Sequence, residues 1–166
     1  MTFAVRSNNF KDGDYLAQAH ILSADFGFGC AGSNQSPHLA WSGAPAGTRS
    51  FAITCFDPDA PTGSGFWHWL VVNIPPDVTE LVLDAGNPKA SKLPGGALQT
   101  RTDFGAPGYG GPCPPPGDHP HRYLFTVFAV GADSLPVTAD TSAAVIGFQL
   151  HFNTQAKAAI MGLYRR

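Results

Sequence analysis

The stretch Asp57-Pro58-Asp59-Ala60-Pro61-Thr62-Gly63-Ser64-Gly65-Phe66-Trp67-His68-Trp69 lies between two apolar runs, Ser50 to Phe56 and Leu70 to Ile74. Arg49 to Phe56 alternates around Phe51, Ile53 and Cys55, the period of a half-buried strand. Trp69 to Ile74 is apolar on both faces, which suits a central buried strand, and Pro75-Pro76-Asp77 stops it. Between them, two carboxylates, two prolines, two glycines, a histidine and two tryptophans are too many functional side chains for a plain connection. Ionisable groups at strand ends point to a site on a rigid scaffold.

Outward from this stretch the chain keeps the same grammar of short apolar segments cut by Gly and Pro. Tyr15 to Leu22 reads as a first strand, Pro37 to Trp41 as a short edge strand, and Thr79 to Leu83 and Leu98 to Thr102 as further short strands. Arg122 to Val130 is the most hydrophobic strand. One helix is expected, capped by Thr141 or Ser142 and running to about Asn153, with Val145, Ile146, Phe148 and Phe152 spaced for a buried face. A last strand is expected over Lys157 to Tyr164. The pattern predicts a mainly β sandwich with a small helical addition near the C-terminus, in one domain over 1–166.

Composition narrows the function classes. The chain has 166 residues, enough to bury a core without staples. Its 19 glycines and 15 prolines fit many turns without reaching the content of disordered chains. A net charge of −2 and no basic run argue against nucleic acid or an acidic membrane surface as partner. No segment approaches the ~20 apolar residues that span a bilayer, and Met1 to Asp14 has no leader pattern, so the expected location is cytoplasmic. Cys30, Cys55 and Cys113 lack metal-ligand spacing. Cys55 is expected buried. Cys30 and Cys113, both in Gly-rich loops, could be neighbours, with reduced thiols favoured over a disulfide in a reducing compartment.

A second unusual loop, Asp103 to His121, leads directly into Arg122 to Val130. Together the two loops offer Asp57, Asp59, His68, His119, His121, Tyr109 and Tyr123, plus Trp67 and Trp69, although tryptophans more often pack in a core than form a ligand platform. The proline string 112–116 is stiff and carries few donors, leaving the amides of Gly110, Gly111 and Cys113 to face a ligand. A metal site is the less favoured reading, since Asp57-Pro58-Asp59 is a turn and no helical His-x-x-x-His is present. Nucleophilic catalysis is poorly supported: Ser64 sits in a flexible Thr-Gly-Ser-Gly turn, and Cys113 lies between prolines. Gly108-Tyr109-Gly110-Gly111 is followed by prolines and cannot open a phosphate-binding helix.

These motifs resemble the phosphatidylethanolamine-binding protein family, also called the Raf kinase inhibitor protein family, in its bacterial and archaeal branch. The similarity rests on Asp57-Pro58-Asp59-Ala60-Pro61 followed by His68, and on Gly111-Pro112-Cys113-Pro114-Pro115 through His121-Arg122-Tyr123. Ser36-Pro37, Trp41-Ser42-Gly43-Ala44-Pro45, Gly47-Thr48 and Asp103-Phe104-Gly105 support it. It spans about Phe26 to Val130 and fades beyond Asp133, where Gly162-Leu163-Tyr164-Arg165 is similar to the branch's ending. His38 and His119 depart from the pattern.

The resemblance implies two antiparallel sheets in Greek-key order, with an anion-accepting pocket lined by Asp57, Asp59, His68, His121, Tyr123 and the segment Gly111, Pro112, Cys113, Pro114 and Pro115. It implies a cis peptide at Ala60–Pro61, no cofactor, a phosphate or phosphorylated head group as ligand, a kinase or protease as a protein target, and a homodimer. In such a pocket Asp57 and Asp59 would hold the histidines charged and oriented, accept from an ammonium head group, or retain a proton, and a buried Asp–His pair would bind anions better at lower pH. The rival reading is a metal-assisted or His/Asp acid–base hydrolase using the same residues. A third is an inhibitor whose pocket is vestigial.

Overall fold

The computed structural model describes residues 1–166. Its strands form two sheets. Three short strands, β1 (Ala4–Arg6), β2 (Leu39–Ser42) and β5 (Glu80–Leu81), pair in the order β1-β2-β5. The larger sheet has the order β6-β4-β3-β7-β8, built from β3 (Ser50–Asp57), β4 (Phe66–Ile74), β6 (Leu98–Gln99), β7 (His121–Val130) and β8 (Thr154–Tyr164). Every neighbouring pair is antiparallel. The chain leaves β4, adds β5 to the small sheet, returns as β6 beside β4, then crosses to lay β7 against the other side of β3. That crossing is the Greek-key connection.

Alternation decides which side chains meet. Phe51, Ile53 and Cys55 of β3 and Tyr123, Phe125 and Val127 of β7 point into the main core with Trp41, Trp69 and Leu81. Ala52 of β3 and Leu70 and Val72 of β4 point to the outer face, covered by the helix α1 (Ala143–Asn153). Ser142 caps α1, its Oγ accepting from the Val145 N–H at 3.4 Å. No helix is long and apolar enough to cross a membrane.

Several expectations need correcting. Tyr15 to Leu22 is no strand: Tyr15 makes only an isolated parallel bridge to Leu163 of β8, a 3-10 turn follows at Gln18–His20, and the remaining long-range backbone bonds run to Gly32, Ser33, Asn34, Gln35 and Pro112. Its apolar residues Leu16, Ile21 and Leu22 are buried because this irregular segment seals one end of the core. The segment expected at Pro37 to Trp41 is β2, the centre of its sheet and not an edge, since Pro37 lies before the ladder begins. The buried face of α1 is Ala143, Ile146 and Leu150, while Val145, Phe148 and Phe152 are exposed. The helix rests on a sheet face already filled by aliphatic residues, and only its narrow stripe fits there.

Candidate functional site

At one end of the sandwich the carboxyl end of β3, the start of β4 and the start of β7 surround a cavity of about 200 Å³. The residue that sets its chemistry is His68, and a break in strand alternation places it there. Cys55 pairs with Trp69 and Phe56 with Trp67, so His68 is the extra residue of a β-bulge. The bulge sends Trp67 to the outer side, where it packs on Phe56 at 4.3 Å between ring centroids, and Trp69 into the main core. His68 turns into the cavity, its ring 5.2 Å from that of Tyr123. Bulges commonly re-aim side chains in this way at functional sites.

His68 is buried, and its Nδ1 donates to the Gly110 carbonyl at 2.7 Å. Burial pushes its pKa below the ordinary imidazole value, against the opposing pull of the Gly110 carbonyl and Asp57. His121 is held differently. Its Nδ1 donates to Asp57 Oδ2 at 2.8 Å and its Nε2 to Asp118 Oδ2 at 3.0 Å. Burial opposes its charge, but the two carboxylate hydrogen bonds outweigh that and raise its pKa. Protonated His121 has both donors spent on these carboxylates. Asp57 is spent as well, its Oδ1 accepting the Asp59 N–H at 2.8 Å. Tyr123 is fully buried; burial first, then Asp57, pushes its hydroxyl far above the ordinary phenol value.

Of the residues expected at the site, Asp57, His68, Cys113, Pro114, Pro115, His121 and Tyr123 line this cavity. Asp59, Gly111 and Pro112 do not. Asp59 faces outward, where Arg122 grips it in a fork, Nη2 to Oδ1 at 2.9 Å and Nε to Oδ2 at 3.0 Å. Gly111 lies so close to the preceding loop that a Cβ there would collide with the His20 carbonyl oxygen, and its N–H donates to Asn34 Oδ1. The Gly110 N–H goes to the His68 carbonyl, so of the three amides expected to face a ligand only that of Cys113 has no protein acceptor. Trp69 and Tyr109 are core residues. The apolar wall is Leu22, Phe28, Phe66 and Phe104 with Ala60 and Pro61. A clue to it was present in the sequence: Phe66 and Phe104 each border a signature motif, although single phenylalanines rarely announce a pocket. Asp118, three residues before His121, carries no signal of its own in the sequence, because only the folded turn brings it to that ring.

Two further expectations are corrected. No peptide bond is cis, including Ala60–Pro61. The bend is made another way, by Asp57 Oδ1 capturing the Asp59 N–H and by the Thr62 N–H reaching the Ala60 carbonyl across Pro61. Second, Cys30 and Cys113 form a disulfide, with Cα atoms 5.9 Å apart, while Cys55 is free and buried. The loop carrying Cys30 is stitched to the second loop through Asn34 and through the Leu22 N–H on the Pro112 carbonyl, which brings the two sulfurs together. Arg166 reinforces this lip, donating to the carbonyls of Pro114 at 2.7 Å and Phe28 at 3.3 Å. No group of three or more His, Cys, Asp or Glu side chains has the arrangement of a metal-ligand set.

Comparison with known proteins follows the same lines. The profile of the phosphatidylethanolamine-binding protein family matches residues 6–165. The chain is 53% identical over 162 residues to the UPF0098 protein YbcL of Escherichia coli, covering 98% of this chain and 87% of that one. It is 49% identical over 158 residues to YbhB of the same organism, covering 95% and 97%. The crystal structure of E. coli YbcL, described as a new member of the mammalian PEBP family, superposes with a TM-score of 0.96 at 52% identity, over 100% of this chain and 99% of that one.

Proposed function

The chain belongs to the phosphatidylethanolamine-binding protein family, and from that premise we propose that its pocket binds a small anionic group, a phosphate or a phosphorylated head group. The observation that carries this reading is the cavity itself: apolar walls around a floor of His68, His121 and Tyr123, with the Cys113 amide free beside them. Its volume of about 200 Å³ suits a head group and lies below the range of pockets for drug-sized molecules. The mouth is rimmed by Phe28, more than half exposed, so an apolar substituent on the anion would meet apolar surface.

We favour binding over hydrolysis because the nucleophiles that the sequence offers, Ser64 and Cys113, are not available in the cavity. Ser64 does not line it, the Cys113 sulfur is held in the disulfide, and both nitrogens of His121 are engaged by carboxylates. Calorimetric titration with inorganic phosphate and phosphoethanolamine tests the reading. His68→Ala is expected to weaken binding by about tenfold or more, the worth of one charge-assisted hydrogen bond. Equal affinity in the folded variant would sink the assignment. A homodimer belongs to the same proposal; sedimentation showing only monomer at micromolar concentration would remove it.

A further inference from the structure

The two histidines on the pocket floor differ in what they can offer a ligand. His121 has no N–H left, since Asp57 and Asp118 take both. His68 has its Nδ1 proton fixed by the Gly110 carbonyl, which can only accept. A neutral His68 therefore carries a bare lone pair at Nε2. That atom has no hydrogen-bond partner in the protein and is not among the sealed, unsatisfied buried atoms, on a residue that lines the cavity.

None of the groups facing His68 hydrogen-bonds to Nε2. Asp57 approaches from β3, Tyr123 and His121 from β7, Asp103 from the loop after β6, and the carbonyls of Gly110 and Gly111 from the second loop. The remaining neighbours, Phe66 and Phe104, are hydrocarbon rings at 5.0 and 5.5 Å. An anion oxygen meeting this nitrogen would set lone pair against lone pair beside the Asp57 carboxylate. One proton has to come between them.

We infer that anion binding in this pocket takes up one proton from solvent, carried at His68 Nε2, which converts a neutral imidazole into the cationic donor of the site. Balanced, neutral His68, one proton and the free anion give an imidazolium–anion pair, with no covalent bond made or broken. The inference rests on the anion-binding reading and adds the residue and the stoichiometry. Burial keeps the imidazole neutral in the free protein, and the ligand's charge reverses the balance. The head group's proton inventory then matters: an anion bearing its own acidic hydrogen can donate to Nε2 directly, whereas a fully ionised one must recruit the proton.

Sulfate, fully ionised from about pH 5 to about pH 8, is the discriminating probe. Calorimetry on the full chain at constant ionic strength, in buffers of differing ionisation enthalpy, counts the protons. The expected result is uptake approaching one proton and affinity rising on acidification by up to about tenfold per pH unit. Imidazole 15N shifts should report a new N–H at His68 Nε2 on adding sulfate, with His121 unchanged. His68→Gln, whose amide donates without a proton, should flatten the pH dependence. Sulfate affinity that is flat with pH and enthalpy independent of buffer would overturn the inference while leaving anion binding intact. A wild-type slope in His68→Gln would move the proton to another group and overturn the assignment. If neither sulfate nor phosphate binds at any pH, the anion-binding reading itself fails.

Discussion

At the scale of single residues, two neighbouring histidines pull the protein's stability in opposite directions with pH. Burial depresses the pKa of His68, so below its unfolded value of about 6.5 the unfolded chain takes a proton that the native state refuses, and stability rises with pH there. His20, also lowered by burial, adds the same sign. His121 is raised by its two carboxylates; its contribution is complete below about pH 6.5 and is lost as pH climbs through the folded value. Between about pH 5 and pH 8 these histidines set a stability maximum near pH 6.5, with slopes of up to about 1.4 kcal/mol per pH unit for each group. Urea unfolding across that range checks it: Asp118→Asn should flatten the alkaline limb and His68→Gln should weaken the acid limb. Identical limbs in both variants would contradict the pairing of Asp118 with His121. Most of these residues were legible as candidates, because Asp, His and Tyr gathered at strand ends are conspicuous. Their roles were not. Asp59 and Asp57 look equivalent in the sequence, yet one is tied to Arg122 outside the cavity and the other to His121 inside it.

Secondary-structure elements show the same division. The strongly alternating strands and the Ser142-capped helix follow from local pattern, since burial period and capping are properties of a few adjacent residues. A bulge is not. Strict alternation puts Trp67 and Trp69 on one face and His68 on the other, and only the pairing of β4 against β3 shows that His68 is the inserted residue. The helix was legible in extent but misread in orientation. Its 3.6-residue period permits either an Ile146–Leu150 face or a Val145–Phe148–Phe152 face, and the sheet beneath selects the former. Ile146→Ala is therefore expected to cost about 2–4 kcal/mol by opening a cavity. Phe148→Ser, at an exposed position, should stay within about 0.5 kcal/mol. Chemical denaturation of the two variants distinguishes the faces, and a reversed ranking would mean that the helix packs the other way round.

Across the whole molecule, the Cys30–Cys113 bond closes a loop of 83 residues in sequence separation and ties one lip of the pocket to the other. A loop of that length corresponds to about 4.5 kcal/mol of chain entropy removed from the unfolded state. Reduction should lower the melting temperature by roughly 10 °C. Melts with and without a thiol reductant check this, and a shift under about 2 °C would show that the crosslink contributes little. The amino-acid sequence by itself determined the β sandwich, the family likeness and the two loops that carry the chemistry, because strand period, turn residues and motif spacing are local. Only the tertiary structure decided that Asp59, Gly111 and Pro112 fall outside the pocket, that a bulge is what turns His68 into it, that Asp118 completes the hold on His121, and that Cys30 meets Cys113. Those outcomes depend on register and long-range closure, which no short window of residues encodes.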